Sequence, residues 1–537
     1  MNVNQALTHA ALAFRAGRLE ESKRLLEGVL EIDRYNQQSL WGLVRVCEAQ
    51  GDPAGAIEFL LQLAQVAPDD MSILEEITAR SSTPQQIDRA LALYRLYLQR
   101  NSVADGHFNY AYLLARTGEA ESAVASYQQA IDLGAERPEE IELNIATVYS
   151  QQLRDDVSAE KHLHNAISMK EDYVPAFFNL GCIAEQRGDR QVALARFSTC
   201  LDIQPDYLPA LVRLADAQQF SDESTPLLVR LREIGQENED PDLHFALGRA
   251  YEQCGNYSAA LGHFERANSV DRANYVKYET SLVEAHFDAI KQQLDAAWLA
   301  QHAIDNPAEP VFICGMFRSG STLVEQILAA HSSFTPAGER EFFARLITKH
   351  LPEYPIGCAL LTEDLKRQWA RNYQDESERV FGCDTRLTDK RPDNFLYLGL
   401  IKALFPRAKI IVTQRAWRDI AWSIFATRFG PGQHYATSIE ATRHYIDLQA
   451  DLMTHWQSLF GDDIFVVKYE ELVQSPQESI VELLNFLGEP WEESCLRFDS
   501  LKNTVRTESV WQVRQPLYTS SIGRSDPYLA LRPDLFA

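Results

Sequence analysis

The sequence predicts an α-helical solenoid followed by an α/β domain with a parallel sheet, and three observations carry that expectation. Five glycines recur through the first half at one or two multiples of a single spacing. A loop of phosphate-binding spacing, Gly315-Met316-Phe317-Arg318-Ser319-Gly320-Ser321-Thr322, stands just past the middle. Beyond it, apolar runs of strand length alternate with amphipathic stretches of helix length.

The repeat comes first. Gly17, Gly51, Gly118, Gly188 and Gly255 are separated by 34, 67, 70 and 67 residues. These gaps are one or two units of about 34, the tetratricopeptide period. Five residues after each glycine stands a small residue (Ser22, Ala56, Ala123, Ala193, Ala260), and nine after stands a large apolar one (Leu26, Leu60, Tyr127, Phe197, Phe264). That order lets two helices of a hairpin approach closely and then bury a face. Units without the glycine fill the double gaps around Thr83, Arg154 and Asp222, while Pro68 and Pro205 fall where second helices should stop. Roughly eight hairpins are expected, stacked so that each buries its face on its neighbours and the array presents a concave groove. Asn306-Pro307-Ala308-Glu309-Pro310 ends the helical pattern. The expected division is therefore a repeat solenoid over 1–290 and an α/β domain over 305–537.

Within the second part, 310–314, 408–413 and 464–467 read as buried strands. The stretches 395–405, 420–429 and 477–487 read as helices. Alternation of this kind places ligands at the carboxyl ends of parallel strands. The Gly315–Thr322 loop lies between the first strand and a helix, which puts the N–H groups of Gly320, Ser321 and Thr322 at a helix N-terminus suited to an anion. It has Walker A spacing, but Ser321 stands where a nucleotidase has the lysine that reaches the β- and γ-phosphates. What remains fits a nucleotide with a single 5′-phosphate and no need of a metal. A second phosphate signal follows the strand at 408–413: Arg415 at its end and Ser423 two helical turns on, a guanidinium fork and a hydroxyl suited to a terminal phosphate.

Composition bounds the rest. A chain of 537 residues exceeds one ordinary core, and 45% hydrophobic with 24% charged residues is typical of soluble globular proteins. No apolar run approaches the ~20 residues of a membrane helix, and the first residues lack the pattern of a secretory signal. The eight cysteines (Cys47, Cys182, Cys200, Cys254, Cys314, Cys358, Cys383, Cys495) show no metal-binding spacing and read as reduced thiols. Together these features lead to the expectation of a cytoplasmic protein. A net charge of −25 disfavours nucleic acid or an anionic membrane as partner, so an anionic ligand requires a local basic cluster that reverses the global field.

Several motifs occur in order: Gly315 to Leu323, Gly338-Glu339, Thr388-Asp389-Lys390, the Arg415/Ser423 pair, and Thr507-Glu508-Ser509-Val510-Trp511-Gln512-Val513-Arg514-Gln515-Pro516-Leu517-Tyr518. With the repeats in front, the chain resembles the tetratricopeptide repeat-containing sulfotransferases, whose catalytic domain is similar to that of the tyrosylprotein sulfotransferases. The resemblance covers essentially the whole chain. It implies 3′-phosphoadenosine-5′-phosphosulfate (PAPS) as donor, the 3′,5′-bisphosphate (PAP) as by-product, and no metal. Arg318, Ser319, Gly320, Ser321 and Thr322 would hold the 5′-phosphate, with Arg415 and Ser423 on the 3′-phosphate. Tyr469 would lie at the nucleotide. Ser509, Gln512, Arg514 and Tyr518 would belong to a late loop over it, and Arg524 would stand where the family has a lysine. Glu339 would be the general base, with Arg318, Lys390 and Ser509 stabilising charge as the sulfuryl group moves.

Each role has a structural alternative. Glu339 would otherwise pair with Arg340 or Arg391, Lys390 would belong to a solvated charge run, Ser509 would cap a turn, and His331, Trp422 and Trp511 would serve capping and packing. Glu341 is close enough to be mistaken for the base. The expected acceptor is a tyrosine hydroxyl of a protein or peptide recruited by the repeat groove. A small-molecule, lipid or carbohydrate acceptor and an inactive scaffold stay open at this point, and nothing in the sequence fixes the oligomeric state.

Overall fold

The glycines that set the period close helical hairpins. Gly17, Gly51, Gly118, Gly188 and Gly255 all take positive φ, between 71° and 85°, the left-handed conformation that ends one helix and turns the chain into the next. Where the glycine is missing, Arg154 takes the same turn at φ 56°. At Thr83 the turn is made instead by a capping box, in which the Thr83 hydroxyl accepts from the Gln86 N–H and the Gln86 side chain accepts from Thr83. The computed structural model describes residues 2–382, 385–507 and 509–537; Cys383 of the cysteine set and Glu508 within the late motif lie outside them.

Two compact units result, Met1–Ala176 and Phe177–Ala537. Among its described residues the first contains ten helices in five hairpins, from Val3–Arg15 to Asp156–Met169. The small and large positions that marked the repeat are its core here and in the second unit: Ser22, Ala56, Ala123, Ala193 and Ala260 are 0–1% exposed, and Leu26, Leu60, Tyr127, Phe197 and Phe264 at most 4%.

Three further hairpins follow, Val174–Arg187, which straddles the division, with Arg190–Ile203, then Leu208–Ala217 with Pro226–Ile234, and Pro241–Gln253 with Tyr257–Asn274. The apolar faces of the last two share a core with the α/β domain. Phe264 meets Trp422 edge-on at 5.7 Å, and Trp422 stacks on Tyr528 at 3.6 Å. Asn268 donates to the Phe425 carbonyl at 2.8 Å. The Arg428 guanidinium grips both oxygens of the buried Asp271, at 3.1 and 3.0 Å. This shared core explains why the compact units divide inside the repeat array, at Ala176, instead of at its end. Two helices after the repeats, Thr280–Gln293 and Ala296–His302, insert Phe287, Ile290 and Trp298 into the α/β core as well, with Leu294 between them.

The α/β domain is built on five parallel strands, β1 (Val311–Gly315), β2 (Phe334–Pro336), β3 (Arg386–Lys390), β4 (Lys409–Gln414) and β5 (Ile464–Lys468), in the order β2-β3-β1-β4-β5. Alternate residues feed opposite cores: Phe312 and Cys314 face one, Val311 and Ile313 the other. The strands expected from apolar runs are β1, β4 and β5. The sequence reading did not anticipate β2 and β3, and β3 is strongly polar. Thr388, Asp389 and Lys390 are nonetheless 0% exposed, and Asp389 is satisfied there by the Tyr373 hydroxyl at 3.0 Å and the Asn394 amide at 3.2 Å. The helices expected at 395–405 and 420–429 start and stop earlier, as a 3-10 turn Pro392–Tyr397 running into Leu398–Leu404, and as Trp417–Phe425. Among the described residues no helix is long and apolar enough to cross a membrane.

Candidate active site at the strand ends

All five strands deliver a candidate site residue at or just beyond their carboxyl ends: the loop after β1, Glu339 after β2, Lys390 closing β3, Arg415 after β4 and Tyr469 after β5. The β1 loop is tight. A side chain on Gly315 (φ 145°) would meet the Thr413 carbonyl at 2.5 Å, and one on Gly320 (φ 102°) would meet the Tyr469 ring at 2.8 Å. Between them Arg318 itself takes φ 67°, a conformation that costs a residue with a Cβ and is seen where a site over-determines it. Ser321 opens the Ser321–Ala329 helix, so the loop N–H groups stand at its positive end.

That conformation places the Arg318 guanidinium at the centre of the site. Its Nε donates to Ser423 Oγ at 3.0 Å, one terminal nitrogen to Ser509 Oγ at 2.5 Å, and the other to Gln512 Oε1 at 3.0 Å. Four residues read separately from the sequence are thus held together. Thr322, at the helix start, reaches Thr507 at 3.5 Å, and Thr507 accepts from the Ser509 N–H at 3.3 Å. Ser319 is different: its hydroxyl turns into the fold, donating to the Met316 carbonyl and touching Thr413 Oγ1, both at 2.6 Å. The side chain braces the loop, leaving ligand contact to its neighbours.

Arg415 is buried, its guanidinium 4.7 Å above the Tyr469 ring, and it donates to the carbonyls of Arg318 (3.2 Å) and Ser521. Its Nε is buried with no partner. Burial holds the guanidinium below the ordinary arginine range, with the Asp419 carboxylate 4.0 Å from one terminal nitrogen. Arg524 lines the same pocket. Asp419 accepts from the N–H groups of Gly523 at 2.8 Å and Ser525 at 3.0 Å, pinning the backbone on both sides of it. The Arg524 side chain is gripped by Glu252, a residue of the repeats, through Nε at 3.0 Å and a terminal nitrogen at 2.5 Å. The contact uses two nitrogens of the planar guanidinium fork, one to each carboxylate oxygen.

Lys390 and Glu339 form the second focus. Lys390 Nζ donates to Glu339 Oε1 at 2.6 Å, with the lysine side chain fully buried and the glutamate 33% exposed. The alternatives for these residues are otherwise engaged: Arg340 pairs with Glu376 at 3.1 Å, Arg391 pairs with Asp393 at 2.6 Å, and Glu341 lies outward, 66% exposed. Behind the pair is a residue that sequence reasoning missed. Glu325, in the loop helix, accepts the Gly338 N–H at 2.9 Å, and burial, with the Glu339 and Asp389 charges adding to it, pushes its carboxyl up to about 7. Glu325 thereby fixes the turn that carries Glu339. His331 closes the loop helix and braces the chain, donating to the Pro490 carbonyl at 2.8 Å and accepting from the Ser333 N–H at 3.1 Å.

Arg514 turns away from the phosphate pocket. Its guanidinium binds the carbonyls of Leu501, Asn503 and Gln186, and serves to fix the late segment. Arg318, Ser321, Thr322, Glu339 and Ser509 line one side of a cleft of about 1470 Å³. Repeat residues including Arg190, Arg213, Arg249 and Tyr257 line the other. Eight arginines and four carboxylates line it, a basic excess on a chain of net charge −25 even with Arg428 paired to Asp271 and Asp242 behind the lining. The local reversal of field that an anionic ligand requires is present here.

A sulfotransferase-family model matches residues 310–493, and tetratricopeptide-repeat models match 13–80, 85–138 and 243–273. An uncharacterized protein of Aquifex aeolicus (strain VF5) is 35% identical over 227 residues, covering 40% of this chain and 30% of that protein. The protein-tyrosine sulfotransferase of Drosophila melanogaster is 23% identical over 247 residues, covering 44% of this chain and 47% of that protein. This chain thus spans less than half the length of either relative. Among solved structures, the sulfotransferase domain from the Synechococcus PCC 7002 olefin synthase aligns with TM-score 0.33 and 20% identity over 42% of this chain and 89% of that domain. The chain joins N-terminal tetratricopeptide repeats to a sulfotransferase-family domain that is distantly similar to the protein-tyrosine sulfotransferases.

Proposed function

We propose that the protein transfers a sulfuryl group from PAPS to an acceptor hydroxyl, that of a tyrosine in a protein or peptide seated in the cleft beside the repeats. The observation that carries this reading is the Lys390–Glu339 pair at 2.6 Å at the strand ends, in which the buried Lys390 holds a glutamate that lines the same cleft as Arg318 and Ser509.

The residues fit a donor with phosphates at two places. The β1 loop and the helix start at Ser321 suit a 5′-phosphate, and the buried Arg415, with its unpartnered Nε beside Ser423 and Arg524, suits a 3′-phosphate. When bound, PAPS supplies an electrophilic sulfuryl group on a phosphate leaving group. Lys390 holds Oε1 of Glu339, which leaves Oε2 for the acceptor proton. The Lys390 ammonium, the Arg318 guanidinium and the Ser509 hydroxyl supply positive charge and a hydrogen-bond donor where negative charge accumulates. The basic lining of the cleft supports an acceptor with anionic surroundings, and its size supports a polypeptide segment.

Calorimetric titration with PAP, against ATP with magnesium, tests the donor. Micromolar binding of PAP with little for ATP is expected, and absence of PAP binding would remove the reading. Transfer of labelled sulfate from PAPS to tyrosine-containing acidic peptides, against their phenylalanine counterparts, tests the acceptor.

A further inference from the structure

Two repeat carboxylates that hold side chains of the chain's last segment occupy equivalent places. Glu185 stands three residues before Gly188, and Glu252 three before Gly255, two repeat units on. Glu252 grips Arg524. Glu185, 5% exposed, accepts the Trp511 indole N–H on Oε1 at 2.8 Å, and Arg213 lies 3.7 Å from its other oxygen. The next residue continues the contact, since the Gln186 carbonyl accepts the Val505 N–H at 2.8 Å and Arg514 at 3.3 Å.

We propose that Glu185 is a positioning residue of the transferase site, latching the late segment to the repeats through Trp511; this rests on the donor reading above. Trp511 lies between Ser509 and Gln512, the two residues that hold the terminal nitrogens of Arg318. A short 3-10 turn, Gln512–Arg514, follows directly, so displacing the indole displaces both of these partners together. A hydrogen bond to a buried carboxylate is strong enough to fix such a segment, because burial has already stripped the carboxylate of most of its hydration and loss of the donor leaves that oxygen unsatisfied. The repeats are then part of the donor site as well as a wall of the acceptor cleft.

The test is calorimetric binding of PAP to the full chain. Glu185→Ala and Trp511→Phe are each expected to weaken PAP roughly tenfold, and the double variant no more than either alone, since both remove one bond. Glu185→Gln, whose amide oxygen still accepts the indole N–H, recovers most of the affinity, which loss of a merely structural carboxylate would not allow. Thermal unfolding checks that each variant is folded. Should Glu185→Ala fail to fold, Trp511→Phe and Glu185→Gln carry the comparison. PAP affinity unchanged in Trp511→Phe, or losses that multiply in the double variant, would overturn the latch. A wild-type chain that does not bind PAP would overturn the donor reading and the latch with it.

Discussion

Glu339 Oε1 accepts from Lys390 Nζ at 2.6 Å, joining the turn after β2 to the last residue of β3. The lysine is fully buried, so its ammonium has few alternative partners and fixes the carboxylate in one orientation toward the cleft.

If that carboxylate takes the acceptor proton, Glu339→Gln removes the base and keeps the shape. Sulfuryl transfer is expected to fall by about 10² or more, while PAP binding, which involves other residues, is retained. Radiolabelled transfer and calorimetry on the same preparation give both readings. A fully active variant would show that another group takes the proton.

Arg415 should decide which nucleotide is bound. Its buried guanidinium, with Nε unpartnered and the Asp419 carboxylate no nearer than 4.0 Å, is suited to a phosphate dianion, so Arg415→Ala is expected to weaken PAP by roughly ten- to a hundredfold. Binding of 5′-AMP, which lacks the 3′-phosphate, should change little. Titration of both ligands into both proteins measures the preference, and a variant that still favours PAP by the wild-type factor would place the 3′-phosphate elsewhere.

The strands and repeats that were legible in the sequence are those whose burial is written in apolar side chains. β1, β4 and β5 are apolar runs, and the repeat positions after each glycine are small and then large. β3 escaped because its burial rests on partners that no local pattern shows: Asp389 depends on Tyr373, 16 residues earlier, and Lys390 on Glu339, 51 residues earlier. Arg318, Ser423, Ser509 and Gln512 were all recognised, but their convergence on one guanidinium needed the fold. Ser319 and Arg514 show the converse, residues in the right motif whose side chains serve the frame. The basic cleft was hidden by the net charge, because its arginines come from distant repeats and loops. Glu185 and Glu252 carry a signal that periodicity offers, a carboxylate at a fixed offset from the turn glycine, but which face it occupies is set only by packing.

Glu325 gives stability a pH dependence with a defined sign. Its folded carboxyl is raised from 4.5 to about 7, so between these values the native state holds a proton that the unfolded chain releases. Stability contributed by the neutral carboxyl is therefore lost as pH rises from about 4.5 toward about 7, and the full cost is present above that. Glu325→Gln keeps an oxygen for the Gly338 N–H without the charge. The variant should match the wild type near pH 4.5 and exceed it by about 2–3 kcal/mol near pH 8. Urea unfolding at the two pH values checks this, and a difference that does not grow with pH would mean that Glu325 is not the titrating group.

Arg428 ties the last repeat to the α/β domain, gripping Asp271 at 3.1 and 3.0 Å and reaching Asp242 at 2.7 Å. Asp271 is only 4% exposed, so Arg428→Ala leaves a buried carboxylate without its strongest counter-ion. Removing one partner of a fully buried pair costs several kcal/mol; with the arginine one-third exposed, the expected loss is smaller, about 2 kcal/mol. Asp271→Asn with Arg428→Ala removes both charges and should restore part of that loss. The measurement is denaturant unfolding of the four proteins of this cycle, with PAP affinity read in parallel. Because the repeats hold Trp511 and Arg524 from the same side, loosening this contact should also weaken PAP. A stability loss with PAP affinity unchanged would show that the donor site holds its geometry independently of the Arg428 contact.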